Sequence, residues 1–169
     1  ALPLPEAIAV WSGELAGPVP EKAGLSCAGL YEAESLSHQS GKAEHDSDAS
    51  GAMVWMARKA ETAPGCIVFG PYASLEKGAY LALFRLKRTD EGTGQVAQLD
   101  TCVGGGSPQT GKLDVGTADM PLNTWRWFPI VFQHPGGPLE TRIMWPGGAS
   151  LAADAVAVWK ITHEAGGGN

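Results

Sequence analysis

No apolar run in the 169-residue chain approaches the roughly 18–20 residues that carry a helix across a bilayer. The opening ALPLPEAIAVWSG has no basic flank before its apolar stretch, so it is not an intact signal peptide, and one already removed is compatible with it. Positive charge is also in short supply. Twelve Lys and Arg stand against eighteen Asp and Glu, a net charge of −6 with no basic stripe, which argues against a nucleic-acid binder. Cysteine is scarce: Cys27, Cys66 and Cys102 show no C-x-x-C and no zinc spacing. Cys66 and Cys102 lie on strand-like segments and can pair if those strands are neighbours; three buried free thiols is the alternative.

Motifs of catalysis are missing too. His38, His45, His134 and His163 share no ligand spacing, and neither G-x-S-x-G nor H-E-x-x-H occurs. Gly106–Lys112 approaches a phosphate loop, but Leu113 stands where a Ser or Thr should follow the lysine. Asp114, Gly116 and Pro121 then prevent the helix that such a loop requires, so the run reads as a polar hairpin loop. Paired carboxylates for glycoside hydrolysis can come from distant strands, yet nothing marks such a pair. The expectation is that the chain is not an enzyme.

What is plentiful is punctuation. With 23 glycines and 12 prolines, no window of about twelve residues shows a helical period free of both. Hydrophobic content is still 44%, enough for the core of one domain. Residues 1–29 read as a Pro/Gly-rich linker or strap, with one short strand around Ile8–Trp11, and residues 163–169 as a flexible tail. Between them, strands are expected near 30–36, 52–58, 66–72, 79–88, 95–103, 124–133, 138–145 and 151–161. Alternation is cleanest in Ala79–Arg88: Tyr80, Ala82, Phe84 and Leu86 form one face, and Leu81, Leu83, Arg85 and Lys87 the other. The fold class is all-β, an antiparallel sandwich or barrel.

Tyr31-Glu32-Ala33-Glu34 stands out chemically. On a strand both carboxylates project to one side, which is costly unless a cation neutralises them. Asp154 sits in the apolar run Leu151–Trp159, a poor place for an unpaired charge. One arrangement closes a calcium site from Glu32, Glu34 and Asp154, because calcium takes 6–8 hard oxygen ligands. The other leaves the glutamates on a solvated edge and pairs Asp154 with Arg85 or Arg142.

Y-E-A-E at 31–34 followed by S-G-A-M-V-W at 50–55 resembles the opening of carbohydrate-binding-module families 6 and 35. P-G-C-I-V-F-G-P-Y, K-G-A-Y-L-A-L-F-R-L-K and the closing G-G-A-S-L-A-A-D-A-V-A-V are similar to later segments of those modules, in the same order over roughly 30–162. The resemblance implies a jelly-roll sandwich with a structural Ca2+ held by Glu32, Glu34 and Asp154. It implies sugar binding by Trp55 and Trp125, with Asn123 and Arg126 as polar neighbours, since aromatic rings stack on pyranose faces. A core role for Trp55 is the alternative; Trp127, Trp145 and Trp159 suit inward-facing positions. Ala52 replaces a usual glycine, and Ala152 falls where some members carry a sugar-contacting Asn.

The expected function is a non-catalytic carbohydrate-binding accessory domain, secreted or at the cell surface, whose partner is an oligosaccharide or polysaccharide. The rival is a structural or assembly subunit that uses the sandwich for contacts with other protein chains, with residues 1–29 as a route to self-association or to domains of a parent protein.

Overall fold

The computed structural model describes residues 13–20 and 24–162. The expected strand at Ile8–Trp11 and the tail 163–169 lie outside them. Ten strands are formed: β1 (Gly24–Glu32), β2 (Lys42–His45), β3 (Met53–Ala57), β4 (Gly65–Leu75), β5 (Gly78–Arg88), β6 (Gln95–Val103), β7 (Gln109–Gly116), β8 (Arg126–His134), β9 (Gly137–Trp145) and β10 (Leu151–Thr162). The helical pieces among the described residues are three-residue 3-10 turns at Ala33–Ser35, Ser50–Ala52 and Thr117–Asp119.

Two antiparallel sheets pack face to face. One runs β2-β3-β10-β5-β8, with β1 also on β10; the other runs β4-β9-β6-β7. β10 is central because its two halves take different partners on one edge. Leu151–Ala153 pair with β3, whereas Ala155–Thr162 pair with β1. Asp154 falls at the change of partner, where the register with β5 also slips between Ala153 and Ala155. A bulge there aims an acid out of an otherwise apolar strand.

Alternation along β5 explains both of its faces. Tyr80, Ala82, Phe84 and Leu86 enter the core between the sheets, with Val156, Val158, Phe128, Ile130, Leu99, Ile143 and Trp145. Leu81 and Leu83 bury on the opposite face with Trp127, Ala157 and Trp159, where Leu15 and Val19 of the Gly13–Pro20 strap pack over them. Trp127 and Trp159 therefore face away from the central core, unlike Trp145. The strap also joins the sheet edge. The Trp127 N–H donates to the Glu14 carbonyl at 2.8 Å and the Ala16 N–H to the Trp127 carbonyl at 2.9 Å, in a parallel bridge at Leu15.

Three expectations are corrected. The first strand starts at Gly24 and not at residue 30, because β10 offers it eight residues of ladder up to Thr162. Gly29 is accommodated there because the Tyr31 ring folds over it; a Cβ on Gly29 would sit 2.3 Å from the Tyr31 hydroxyl. β2 and β7 are strands that local pattern does not reveal, both polar and both at sheet edges. Residues 109–116, which include the end of the expected hairpin loop, pair with β6. Finally, β9 lies between β4 and β6, so Cys66 and Cys102 are not on neighbouring strands. All three cysteines are free, and Cys27 is exposed and not buried.

Candidate functional site

The three predicted acids come from separate elements. β1 ends at Glu32, and Glu34 lies in the 3-10 turn that follows, so the two are not strand neighbours on one face as the local pattern implied. The Ser50 hydroxyl donates to Glu32 Oε1, and the Ser50 N–H donates to Asp154 Oδ1 at 3.0 Å. Ser50 therefore links the two acids. Glu32 Oε2 and Glu34 Oε2 are buried without a hydrogen-bond partner. Burial, and then the nearby charges of Glu32 and Asp154, push the Glu34 carboxyl up from its ordinary value, despite a backbone hydrogen bond that lowers it. Asp154 is raised as well, mainly by burial, in spite of its hydrogen bonds from Arg85 and Ser50.

Asp154 is fully buried and its second oxygen accepts from Arg85 Nη1 at 2.7 Å. The solvated-edge alternative is thus half met: Asp154 pairs with Arg85, but the glutamates keep buried, unpaired oxygens. No group of three His, Cys, Asp or Glu side chains among the described residues is gathered closely enough to hold a metal ion. The donor chemistry is nonetheless that of a hard cation, with orphaned carboxylate oxygens beside a third acid.

Trp55 and Trp125 do not come together. Trp55 is the middle residue of β3 and packs against the central core, as its core alternative required. The His38 ring lies flat on it and its Nε1 donates to the Ser40 carbonyl at 2.9 Å. Trp125 does precede β8, but it packs with Val54, Met56 and Ala152 on the other face of the sheet. Its ring is covered by the Arg85 guanidinium at 4.6 Å and the Lys87 ammonium at 4.7 Å. Because strand residues alternate, Trp55 and Met56 face opposite ways, and so do the two tryptophans. Asn123 is exposed in the left-handed region (φ 54°), its N–H donating to the Arg88 carbonyl, and Arg126 opens β8 with a buried Nε that finds no partner.

A different surface has the features of a ligand site. On the outer face of the four-stranded sheet, cross-strand neighbours place Phe69 by Arg142 and Arg142 by Asp100, with Pro71 by Glu140 in the adjoining row. The Arg142 guanidinium clamps Asp100, which is 1% exposed, through Nε at 2.8 Å and through Nη2. Gln109 Nε2 adds a further donor to Asp100 at 2.9 Å. A hollow of about 270 Å³ opens beside this pair, lined by Gln39, Phe69, Tyr72, Gly105, Glu140 and Arg142 among others. A second hollow, of about 410 Å³, shares Phe69 and Tyr72 and extends to Tyr31, Glu32 and Pro71. The two rings therefore form a ridge between adjoining depressions.

Among the described residues, Tyr72 is the aromatic one of the large apolar side chains left exposed, at 43%. It sits where β4 bulges between Pro71 and Ser74, with φ 65°, a conformation rare for a bulky residue and found where a site needs it. Partial burial, followed by a hydrogen bond to Glu140, pushes its phenol up to about 12. Local pattern missed this site. Glu140, Arg142 and Asp100 occupy alternate strand positions that read equally well as a solvated face, and only pairing across three strands brings them together.

No family model and no curated protein matches the sequence. Solved structures do match in fold. A family 6 carbohydrate-binding module of lichenase 5A from Cellvibrio mixtus, in complex with cellotriose, superposes with a TM-score of 0.57 and 19% identity, covering 80% of this chain and 98% of that one. The C-terminal family 6 module of a marine laminarinase from Zobellia galactanivorans gives 0.56 and 15%, covering 81% and 100%. An exo-β-1,3-galactanase from Phanerochaete chrysosporium gives 0.53 and 14%, with 79% of this chain covering 29% of that one. The chain has the β-sandwich fold of the family 6 carbohydrate-binding modules.

Proposed function

We propose that the chain is a non-catalytic carbohydrate-binding domain, secreted or displayed at a cell surface, that takes its glycan on the Phe69–Tyr72 ridge. The observation that carries this reading is the exposed Tyr72 ring beside Gln39, Glu140 and Arg142: an apolar platform for a pyranose face next to donors and acceptors for its hydroxyls. The fold shared with family 6 modules supports it, as does the cellotriose held by one of them. Catalysis is disfavoured because both oxygens of Asp100 are taken by Arg142 and Gln109, leaving no free carboxylate pair in the hollow. Affinity is modest, since one stacking ring leaves much of the sugar in water. Calorimetric titration with cellotriose and longer glucans, on wild type and Tyr72→Ala, tests this. Loss of binding in the variant supports the site; undiminished binding removes it.

The same proposal includes a structural Ca2+ held by Glu32, Glu34 and Asp154. It rests on the unpaired buried oxygens of the two glutamates and on the upward shifts of Glu34 and Asp154. When bound, the ion would have to draw these three acids together, and it would then neutralise them and tie the end of β1 to β10. The assembly rival's route through residues 1–29 needs them to engage other chains, whereas the described strap residues lie against their own sheet.

A further inference from the structure

The outer face of the four-stranded sheet carries its charges in pairs, with one acid left over. In the row that crosses β9, β6 and β7, Arg142, Asp100 and Lys112 are cross-strand neighbours. Arg142 spends its Nε and Nη2 on Asp100, and Lys112 Nζ lies 3.7 Å from Asp114, two residues along its own strand. Glu140 is the acid that remains. Arg142 reaches it only through the same Nε, at 3.8 Å. Its Oε2 accepts from the Gly105 N–H at 3.2 Å, and the Tyr72 hydroxyl donates to it as well. Both of those donors are neutral, so they hold the carboxylate in place and leave its charge uncancelled. Among the described residues lining the two hollows, Arg142 is the one cation, and Glu32 adds an acid on the far side of the ridge.

This charge lies at the foot of an aromatic platform. The faces of Phe69 and Tyr72 attract a cation, as aromatic faces do. An ammonium group on a sugar seated there meets the ring and, below it, a carboxylate whose charge-assisted hydrogen bond is roughly twice as strong as a neutral one. An acidic group in the same place is repelled by Glu140 across a poorly solvated gap and finds the Arg142 fork already closed on Asp100. We propose that Glu140 is the specificity-determining residue of the ridge and makes it selective for glycans that carry a protonated amine, of the glucosamine kind, over neutral ones and against acidic ones. This inference rests on the glycan reading above and names the substrate class of the same site.

Four β-1,4-linked trimers test it by calorimetry: glucosamine, N-acetylglucosamine, glucose (cellotriose) and glucuronate. Wild type is expected to bind the glucosamine trimer at least roughly fivefold tighter than cellotriose, the N-acetylated trimer like cellotriose, and the glucuronate trimer most weakly. Raising the pH past the amine's own pKa should erase the preference. Glu140→Gln keeps the shape of the side chain and removes its charge, and the ratio of glucosamine-trimer to cellotriose affinity then falls to about one. Asp114→Asn, which removes an equal charge from the same face beside Lys112, leaves that ratio unchanged. If wild type binds none of the trimers, the glycan reading fails and the selectivity goes with it. If cellotriose binds as tightly as the glucosamine trimer, or the preference survives in Glu140→Gln, the ridge stands and the selectivity is wrong. A preference that survives in Tyr72→Ala is general attraction to an acidic protein and also overturns the proposal.

Discussion

The imidazole of His38 lies on the indole of Trp55, with ring centroids 3.4 Å apart and planes within 8°. His38 is anchored by a hydrogen bond of 2.8 Å to the Ala33 carbonyl, and burial pushes its pKa down despite that bond, so the stack is a half-buried piece of structure. Removing the indole and removing the exposed Tyr72 ring are therefore expected to have opposite consequences. Trp55→Ala costs about 3 kcal/mol of stability, at the lower end for a buried tryptophan, and spares glycan binding by the folded fraction. Tyr72→Ala leaves the melting temperature nearly unchanged and weakens glycan binding by about tenfold, the worth of one stacking contact. Denaturant melts and calorimetry on the two variants check both halves.

Calcium removal is expected to destabilise the domain. A ligand bound only by the native state, at a hundred times its Kd, contributes about 2.7 kcal/mol. For a domain of this size that is roughly 5–10 °C of melting temperature on chelation. Glu34→Gln abolishes the calcium dependence and, in chelator, melts above wild type, because it removes one of the crowded charges. Scanning calorimetry with and without chelator gives the comparison, and a wild-type melt indifferent to chelator counts against the site.

Asp46 supplies a pH dependence. Burial alone would raise its carboxyl, but the hydrogen bond from Lys87, the Asp48 N–H and the charges of Lys87 and Arg85 outweigh burial and hold it below its ordinary value of 3.8. A folded pKa below the unfolded one means that the native state binds fewer protons. The stabilisation is complete above the unfolded value and is lost as pH falls through the folded one. The pair is partly exposed, so its worth is up to about 1 kcal/mol. Asp46→Asn removes this acid-side loss, and because Lys87 lies over Trp125, the indole fluorescence should follow the same titration in wild type.

The cysteines are expected to separate by reactivity. Burial pushes the Cys66 and Cys102 thiols up to about 11, leaving almost no thiolate near pH 8, whereas Cys27 is exposed. A thiol reagent should modify one cysteine in the native protein and three in denaturant, and mass spectrometry should place the first on Cys27.

The alternation of apolar residues in 79–88, together with closely spaced glycine and proline, was enough to determine an all-β antiparallel fold and which face of β5 meets the core. That much is local, because a strand's faces are set by a period of two whatever its partners. The likeness of Y-E-A-E and the closing strand to known modules was legible for the same reason: each motif lies within one segment. Partnership was not. That Trp55 and Trp125 fall on opposite faces depends on β3 and β8 belonging to the same sheet, and that Asp100 is buried on an outer face depends on Arg142 and Gln109 arriving from β9 and β7. Tyr72 looked like any strand residue until a bulge against β9 turned it out. Charge and composition report what a residue can do, while only pairing between distant strands decides what stands next to it, and hence whether a ring is a platform or a filler.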